Sequence, residues 1–112
     1  MHTIVETEPY LAQVERLFDF EERSAIVDTV AADPKCGAVI PGTGGVRKLR
    51  VAASGRGKRG GARVIYLFGG EDVPLFLLAA FAKNEKSYLS KAERNGLARL
   101  TGELIRSYRS WP

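Results

Sequence analysis

The sequence contains one cysteine and one histidine, and both shortages restrict the chemistry that the chain can perform. Because Cys36 is the only cysteine in the sequence, an internal disulfide and a zinc site built from several cysteines are both excluded. No histidine is available to activate Cys36 as a nucleophile, so we interpret it as a small loop residue. His2 lies at a terminus that we expect to be frayed, which makes histidine-based catalysis improbable. We therefore expect a protein without metal or cofactor.

Long apolar runs and targeting signals are also missing. No apolar run approaches the roughly 20 residues that are needed to span a bilayer, and residues 1–5 lack the pattern of a secretory signal. The 112 residues are 45% hydrophobic and 27% charged, which is typical of a globular protein. We therefore expect a single domain over residues 1–112 that acts in the cytoplasm without a membrane.

Acidic residues are absent from one third of the chain. Residues 34–70 carry eight bases and no acid, whereas residues 1–33 carry eight acids and two bases, within a net charge of +4. Solubility does not require such segregation, but a patch of one sign attracts polyanions. This pattern, with a sequence pI of about 9.5, favours nucleic-acid contact over a solvated hairpin that happens to be basic. An anionic membrane is less favoured, because no basic amphipathic helix carries the charge.

The hydrophobic periodicity predicts a small α+β domain. A strand at 3–6 precedes two short helices that end before Pro34. Three later segments then predict an antiparallel three-stranded meander, whose third, wholly apolar strand lies at the sheet centre. These segments are 46–52, 62–68 and 73–81. Ser90 and Glu93 form a capping box that begins a C-terminal helix, so the order is strand, two helices, three strands and one helix.

Two glycine-rich segments separate these elements. Residues 42–45 lack the spacing of a phosphate-binding loop, so we interpret 37–45 as a connection with turns at positive φ. Alternation in the strand that follows is imperfect at Lys48-Leu49, which indicates a bulge or a strand-end effect. The second segment, 54–61, predicts a polar turn whose Arg56, Lys58 and Arg59 can contact a phosphate backbone.

A group of cations is expected to converge on the sheet. Arg63 is the lone charge on an apolar strand, and Lys83 and Lys86 follow the next strand. Adjacent strands of the meander can bring Lys48 or Arg50 beside Arg63 and Lys83 on one concave side. Arginine and lysine at such positions suit the negative charge that develops during phosphoryl transfer.

Three segments in succession carry a resemblance to a known family. They are 42–50, 57–66 and 81–86, and the helix with Leu97 follows them. In order and spacing they resemble the RelE/ParE-superfamily toxins of bacterial type II toxin–antitoxin systems, specifically the HigB/RelE-like branch. The resemblance covers nearly the whole chain and implies a RelE-like single domain.

The resemblance also implies an activity. It implies a metal-independent, ribosome-dependent mRNA endonuclease, or interferase, that cuts the codon in the decoding site through attack of the 2′-hydroxyl on the adjacent phosphate. The implied catalytic residues are Arg63, Lys83, Lys86, Lys48 and Tyr88. The residues expected to bind RNA or the ribosome are Arg47, Arg50, Arg56, Lys58 and Arg59. Asn84 replaces an arginine of the relatives, and Ser90 occupies the position of their tyrosine, two places after Tyr88.

The implied partners are the ribosome, mRNA and a cognate antitoxin, of which many carry a DNA-binding helix-turn-helix. An acidic, flexible antitoxin segment would be attracted to the acid-free region. Two other functions stay open: a ParE-like poison of DNA gyrase, and a non-catalytic protein that binds RNA or the ribosome. The basic region fits all three functions, and the joint placement of Arg63, Lys83 and Lys86 favours cleavage.

Overall fold

A computed structural model describes residues 2–52, 61–86 and 88–110, and it confirms the α+β class. Most of the predicted turn at 54–61 lies outside these residues. The elements in chain order are β1 Ile4–Glu6, α1 Glu8–Leu17, α2 Phe20–Ala32, β2 Ala38–Val39, β3 Val46–Val51, β4 Ala62–Leu67, β5 Leu75–Ala82 and α3 Lys91–Arg109. None of these helices is long and apolar enough to cross a membrane.

The strands form one five-stranded sheet in the order β1-β5-β4-β3-β2. The predicted meander is confirmed, since β3, β4 and β5 pair antiparallel in succession. The third strand, β5, is internal but lies second from the edge, between β1 and β4, so the prediction that it occupies the sheet centre is wrong and β4 takes that place. Two features were not predicted: β1 pairs parallel with β5, placing Ile4 opposite Leu75, and the short strand β2 pairs with β3 inside the expected connection at 37–45.

The two N-terminal helices are separate, as predicted, because Asp19 begins a new one. The Asp19 carboxylate accepts a hydrogen bond from the Glu22 backbone N–H at 2.8 Å, and the Glu22 side chain accepts one from the Asp19 N–H at 3.0 Å. This reciprocal cap satisfies the first donors of α2. Phe18, in between, is extended and ends α1.

The sheet is covered by helices on both faces, so the core has two halves. On the α1/α2 face, Tyr10, Val14 and Val30 are fully buried together with Val64 and Tyr66 of the sheet. On the other face, the α3 face, Leu97, Leu104 and Ile105 pack against a second cluster. The sheet residues of that cluster are Val46, Ile65, Leu67, Phe76 and Leu78. Burial of β4 from both sides explains why its segment is almost wholly apolar.

The 42–45 segment is a turn, as predicted. Gly42, Gly44 and Gly45 all have positive φ, a region that side chains other than glycine rarely enter. Thr43 is fully buried within this turn. Its hydroxyl donates to the Ile40 carbonyl at 2.6 Å and accepts from the Val46 N–H at 3.2 Å. The turn therefore fixes the start of β3.

The bulge predicted at Lys48-Leu49 is wrong. β3 pairs with β4 without interruption from Val46 to Val51, and the register shift lies instead between β4 and β5, next to Ile65 and Tyr66. Leu49 and Val51 pack on the α1/α2 face and Val46 on the α3 face. Strand alternation then places Lys48 and Arg50 on the α3 face with Val46. The pattern looked irregular because these charges share a face with an apolar residue.

Candidate nucleic-acid interface and active site

Strand register arranges the α3 face of the sheet in rows that change from apolar to basic. Each row takes one residue from β3, one from β4 and one from β5. The rows are Val46–Leu67–Phe76, then Lys48–Ile65–Ala79, then Arg50–Arg63–Phe81. The first row is wholly apolar and packs in the cluster with the α3 residues. The last, basic row lies at the end of the sheet from which Lys83 and Lys86 continue the chain.

Arg63 is a buried cation within the basic row. Its residue is 6% exposed, and Nη1 donates to the Ala62 carbonyl at 3.1 Å. A guanidinium remains charged even when it is buried. Because the effective dielectric constant is low there, the field of Arg63 on a nearby anion is stronger than that of an exposed arginine. Arg50, its direct partner on β3, is exposed.

Lys86 approaches the same end of the face from the segment after β5. Its Nζ lies 6.0 Å from the centroid of the Phe81 ring, and Phe81 pairs with Arg63 across the strands. Lys86 is half-buried and forms an ion pair with Glu93. Lys48, Arg50, Arg63 and Lys86 form what is termed below the basic cluster.

Glu93 belongs to the capping box that was predicted from the sequence. Its Oε1 accepts from the Ser90 N–H at 2.9 Å, and its own N–H donates to Ser90 Oγ at 3.1 Å, which confirms the capping box. The hydrogen bond from Lys86, followed by that from the Ser90 backbone, lowers the pKa of Glu93 to about 2. The carboxylate is therefore charged at neutral pH.

Lys83 is exposed at the edge of this region. Its backbone N–H donates to the Gly61 carbonyl at 3.0 Å, which places it beside the residue that precedes β4. Arg63 Nη1 lies 3.8 Å from the position that a Cβ on Gly61 would occupy. The backbone of Lys83 and the guanidinium of Arg63 therefore both lie close to Gly61.

A cleft of about 660 Å³ borders the basic cluster between the 38–42 segment and the start of α3. Its lining includes Lys48, the apolar Val39 and Pro41, and Tyr88 and Arg94. Tyr88 is 73% exposed, so its ring is available for stacking. Arg94 Nη1 donates to the Leu89 carbonyl at 2.9 Å. Sequence reasoning missed Arg94, because nothing local shows that the 38–42 segment faces it.

Arg47 lies on the opposite face of the sheet from Arg50, the other predicted binding residue that the structure describes. Strand alternation places it on the α1/α2 face, where Nη1 donates to the Gly37 carbonyl at 2.8 Å and to the Lys35 carbonyl at 3.3 Å. The Tyr66 hydroxyl nearby accepts from the Gly37 N–H and donates to the Pro34 carbonyl, both at 2.8 Å. Arg47 thus holds the chain before β2. Arg56, Lys58 and Arg59, and also Trp111, lie outside the described residues.

His2 and Cys36 do not contact the basic cluster. His2 was expected at a frayed terminus, but its side chain is 8% exposed. Its Nε2 lies 2.8 Å from the Val73 carbonyl oxygen, and its ring contacts Phe68 edge-on. Val73 precedes β5 and Lys86 follows it, so His2 lies at the opposite end of that strand. Cys36 contacts the Tyr66 hydroxyl at 3.7 Å. Within the described ranges, no group of three potential metal ligands occurs.

A known protein family matches most of the chain. The model of a family described as the RelE toxin of the RelE / RelB toxin-antitoxin system matches residues 22–110. The match includes most of α2, the strands β2 to β5 and the whole of α3. All residues of the basic cluster and of the cleft lie within it.

Proposed function

The chain belongs to the RelE toxin family of toxin–antitoxin systems, and from this we propose that it is a ribosome-dependent mRNA endonuclease that inhibits translation. Toxins of this family are generally mRNA interferases. The observation that carries the proposal for this chain is the basic cluster, in which the buried Arg63 lies beside Arg50 and, across Phe81, near Lys86. Such an arrangement suits a reaction whose transition state gathers negative charge on a phosphate.

The proposed reaction is cleavage by the RNA's own 2′-hydroxyl. The 2′-oxygen forms a bond to phosphorus while the bond from phosphorus to the 5′-oxygen breaks, which leaves a 2′,3′-cyclic phosphate and a 5′-hydroxyl. One group must accept the 2′-proton and another must supply a proton to the leaving oxygen. Arg63 is proposed to stabilise the phosphorane. Lys48, Lys83, Lys86 and Tyr88 are the candidates for proton transfer and phosphate binding.

The residues around the cluster are proposed to hold the RNA. Arg50 and Lys83 are exposed beside Arg63, where they can contact flanking phosphates. Arg94 and Tyr88 line the adjoining cleft, in which a base can stack on the tyrosine ring. Arg56, Lys58 and Arg59 are proposed to contact ribosomal RNA. These contacts add to one another and weaken as salt rises.

A cognate antitoxin is the second proposed partner, as expected of a toxin from a toxin–antitoxin system. An acidic segment of the antitoxin is attracted to the basic cluster by the same charges that attract RNA. By covering the cluster it would exclude mRNA. We propose that the single domain acts in the cytoplasm, where the ribosome and the antitoxin are both present.

Sequencing of cellular mRNA ends after brief induction tests the proposed function. We expect new 5′ ends in phase with codons in cells that express the wild-type chain, and none with Arg63→Ala. Double-strand DNA breaks without codon-phased ends would instead indicate a gyrase poison. The absence of both, with toxin bound to ribosomes, would indicate a non-catalytic binding protein.

A further inference from the structure

We propose that Glu93 is a positioning residue for mRNA cleavage: its carboxylate, fixed by the cap of α3, holds the Lys86 ammonium over Phe81, the residue that pairs with Arg63 across the strands. This inference rests on the proposed function, which places Lys86 among the groups that act on the phosphate. Glu93 itself makes no proposed contact with RNA. It acts only through Lys86.

The two oxygens of the Glu93 carboxylate bind different partners. Oε1 accepts the Ser90 N–H, and Oε2 accepts the Lys86 ammonium. The cap needs only the first of these oxygens, because glutamine also serves at this position of a capping box. The second oxygen is therefore explained by Lys86, whereas the negative charge interacts favourably both with the Lys86 ammonium and with the N-terminus of α3.

Lys86 needs such a partner because its side chain is long and flexible. Its backbone is fixed after β5, since the Lys86 N–H donates to the Ala82 carbonyl at 3.1 Å. Four rotatable bonds then separate that backbone from the ammonium. The Phe81 ring restricts the position of the ammonium on one side, and the Glu93 carboxylate, which is fixed by the cap, restricts it on another. A cation held in this way does not have to be reorganised when the reaction begins.

Charge gives a second reason to assign Glu93 to positioning. The carboxylate reduces the positive charge of the basic cluster and thereby weakens its attraction for RNA. Binding alone would therefore favour a neutral residue at this position. Without the carboxylate, repulsion from Arg63 and Arg50 would drive the Lys86 ammonium away from the cluster.

These arguments predict opposite effects of one substitution on binding and on rate. Glu93→Gln retains an oxygen for the cap and loses the charge that holds Lys86. In single-turnover cleavage of mRNA on programmed ribosomes, at saturating protein, we expect the rate to fall roughly 10- to 100-fold, as for a reacting group that is slightly misplaced. Affinity for the ribosome, measured in parallel, should stay equal or increase.

Two further variants separate positioning from a general effect on α3. Asp72→Asn removes another ion pair of this helix, with Arg109 at 2.7 Å, far from the basic cluster, and should cleave at the wild-type rate. In a Lys86→Gln background, Glu93→Gln should cause no additional loss, because the pair acts as a unit. All variants are first checked for cooperative thermal unfolding.

The outcomes distinguish this inference from the proposed function. A wild-type rate for Glu93→Gln, an equal loss with Asp72→Asn, or a full additional loss in the Lys86→Gln background would overturn the inference while cleavage stands. If the wild-type chain leaves ribosome-bound mRNA intact, the proposed function is wrong and the inference falls with it.

Discussion

Arg50 and Arg63 lie directly opposite each other in the β3–β4 pairing, with both side chains on the α3 face. Directly opposed residues have Cβ atoms about 4.5–5.5 Å apart, and like charges at this distance destabilise a sheet. Arg63 is buried in addition, at 6% exposure. Like charges in this register are explained by a requirement for positive charge at this end of the α3 face.

The first prediction is a trade between stability and activity at Arg50. Arg50→Gln removes the repulsion and keeps a long polar side chain, so the free energy of unfolding should rise by roughly 0.2–1 kcal/mol. Cleavage of ribosome-bound mRNA should slow in the same variant. Urea unfolding and cleavage assays on one preparation check both changes. A variant that is less stable than wild type, yet cleaves normally, would contradict this account of the pair.

The second prediction separates two adjacent bases of β3. Lys48 borders the cleft on the α3 face, whereas Arg47 binds the carbonyls of Lys35 and Gly37 on the other face. For RNA binding, the slope of log affinity against log salt concentration reflects the number of phosphate contacts. Lys48→Gln should therefore make this slope shallower by the equivalent of about one contact. Arg47→Gln should leave that slope unchanged and lower the unfolding temperature. The reverse assignment would show that RNA approaches the α1/α2 face.

The third prediction concerns the Tyr66 hydroxyl, which is buried away from the basic cluster. It bonds to Gly37 and Pro34, and burial raises its pKa to about 12. Tyr66→Phe leaves those two backbone groups without this partner, which should cost about 1–3 kcal/mol of stability. Cleavage by the folded fraction should stay at the wild-type rate. Guanidinium unfolding and a cleavage assay measured below the transition provide the check, and a slower reaction would connect this face to catalysis.

The fourth prediction follows from the pKa of Glu93, which falls from 4.5 to about 2 in the folded chain. A lowered folded-state pKa contributes stability that is present above the unfolded value and is lost as pH falls through the folded one. Near neutral pH, wild type should therefore be more stable than Glu93→Gln by a constant amount. This difference in stability should disappear as the pH falls from 4.5 to about 2. The effect should be modest and sensitive to salt, because the pair is partly exposed. Thermal unfolding across this pH range tests it, and a difference that does not change with pH would contradict it.

Local patterns in the sequence predicted most of the elements, because periodicity and caps are encoded by residues close together in the chain. The meander and the Ser90 cap are examples. The pairing of β1 with β5 was missed, since it joins residues about 70 positions apart. β2 was missed because its two residues, in the short stretch between Gly37 and Pro41, are too few to carry a periodic signal.

The candidate site was only partly predictable for the same reason. Composition and position indicated Arg63 and Lys86, whereas the separation of Arg47 from Lys48 required the register of β3. Arg94 became visible only when the 38–42 segment was placed beside α3. The spacing of Ser90 and Glu93 predicted that Glu93 takes part in a capping box. Its ion pair with Lys86 could not be predicted, because it depends on how the chain runs from β5 to α3.

The rate of mRNA cleavage on programmed ribosomes by Arg63→Ala, compared with wild type, tests the central claim most directly. Removal of one preorganised donor to a transition state typically costs about 100- to 1000-fold in rate. We expect a loss of that size in a chain that still unfolds cooperatively, with Tyr66→Phe as the matched control from the opposite face of β4. A folded Arg63→Ala that cuts mRNA at the wild-type rate would contradict the assignment of the basic cluster as the active site.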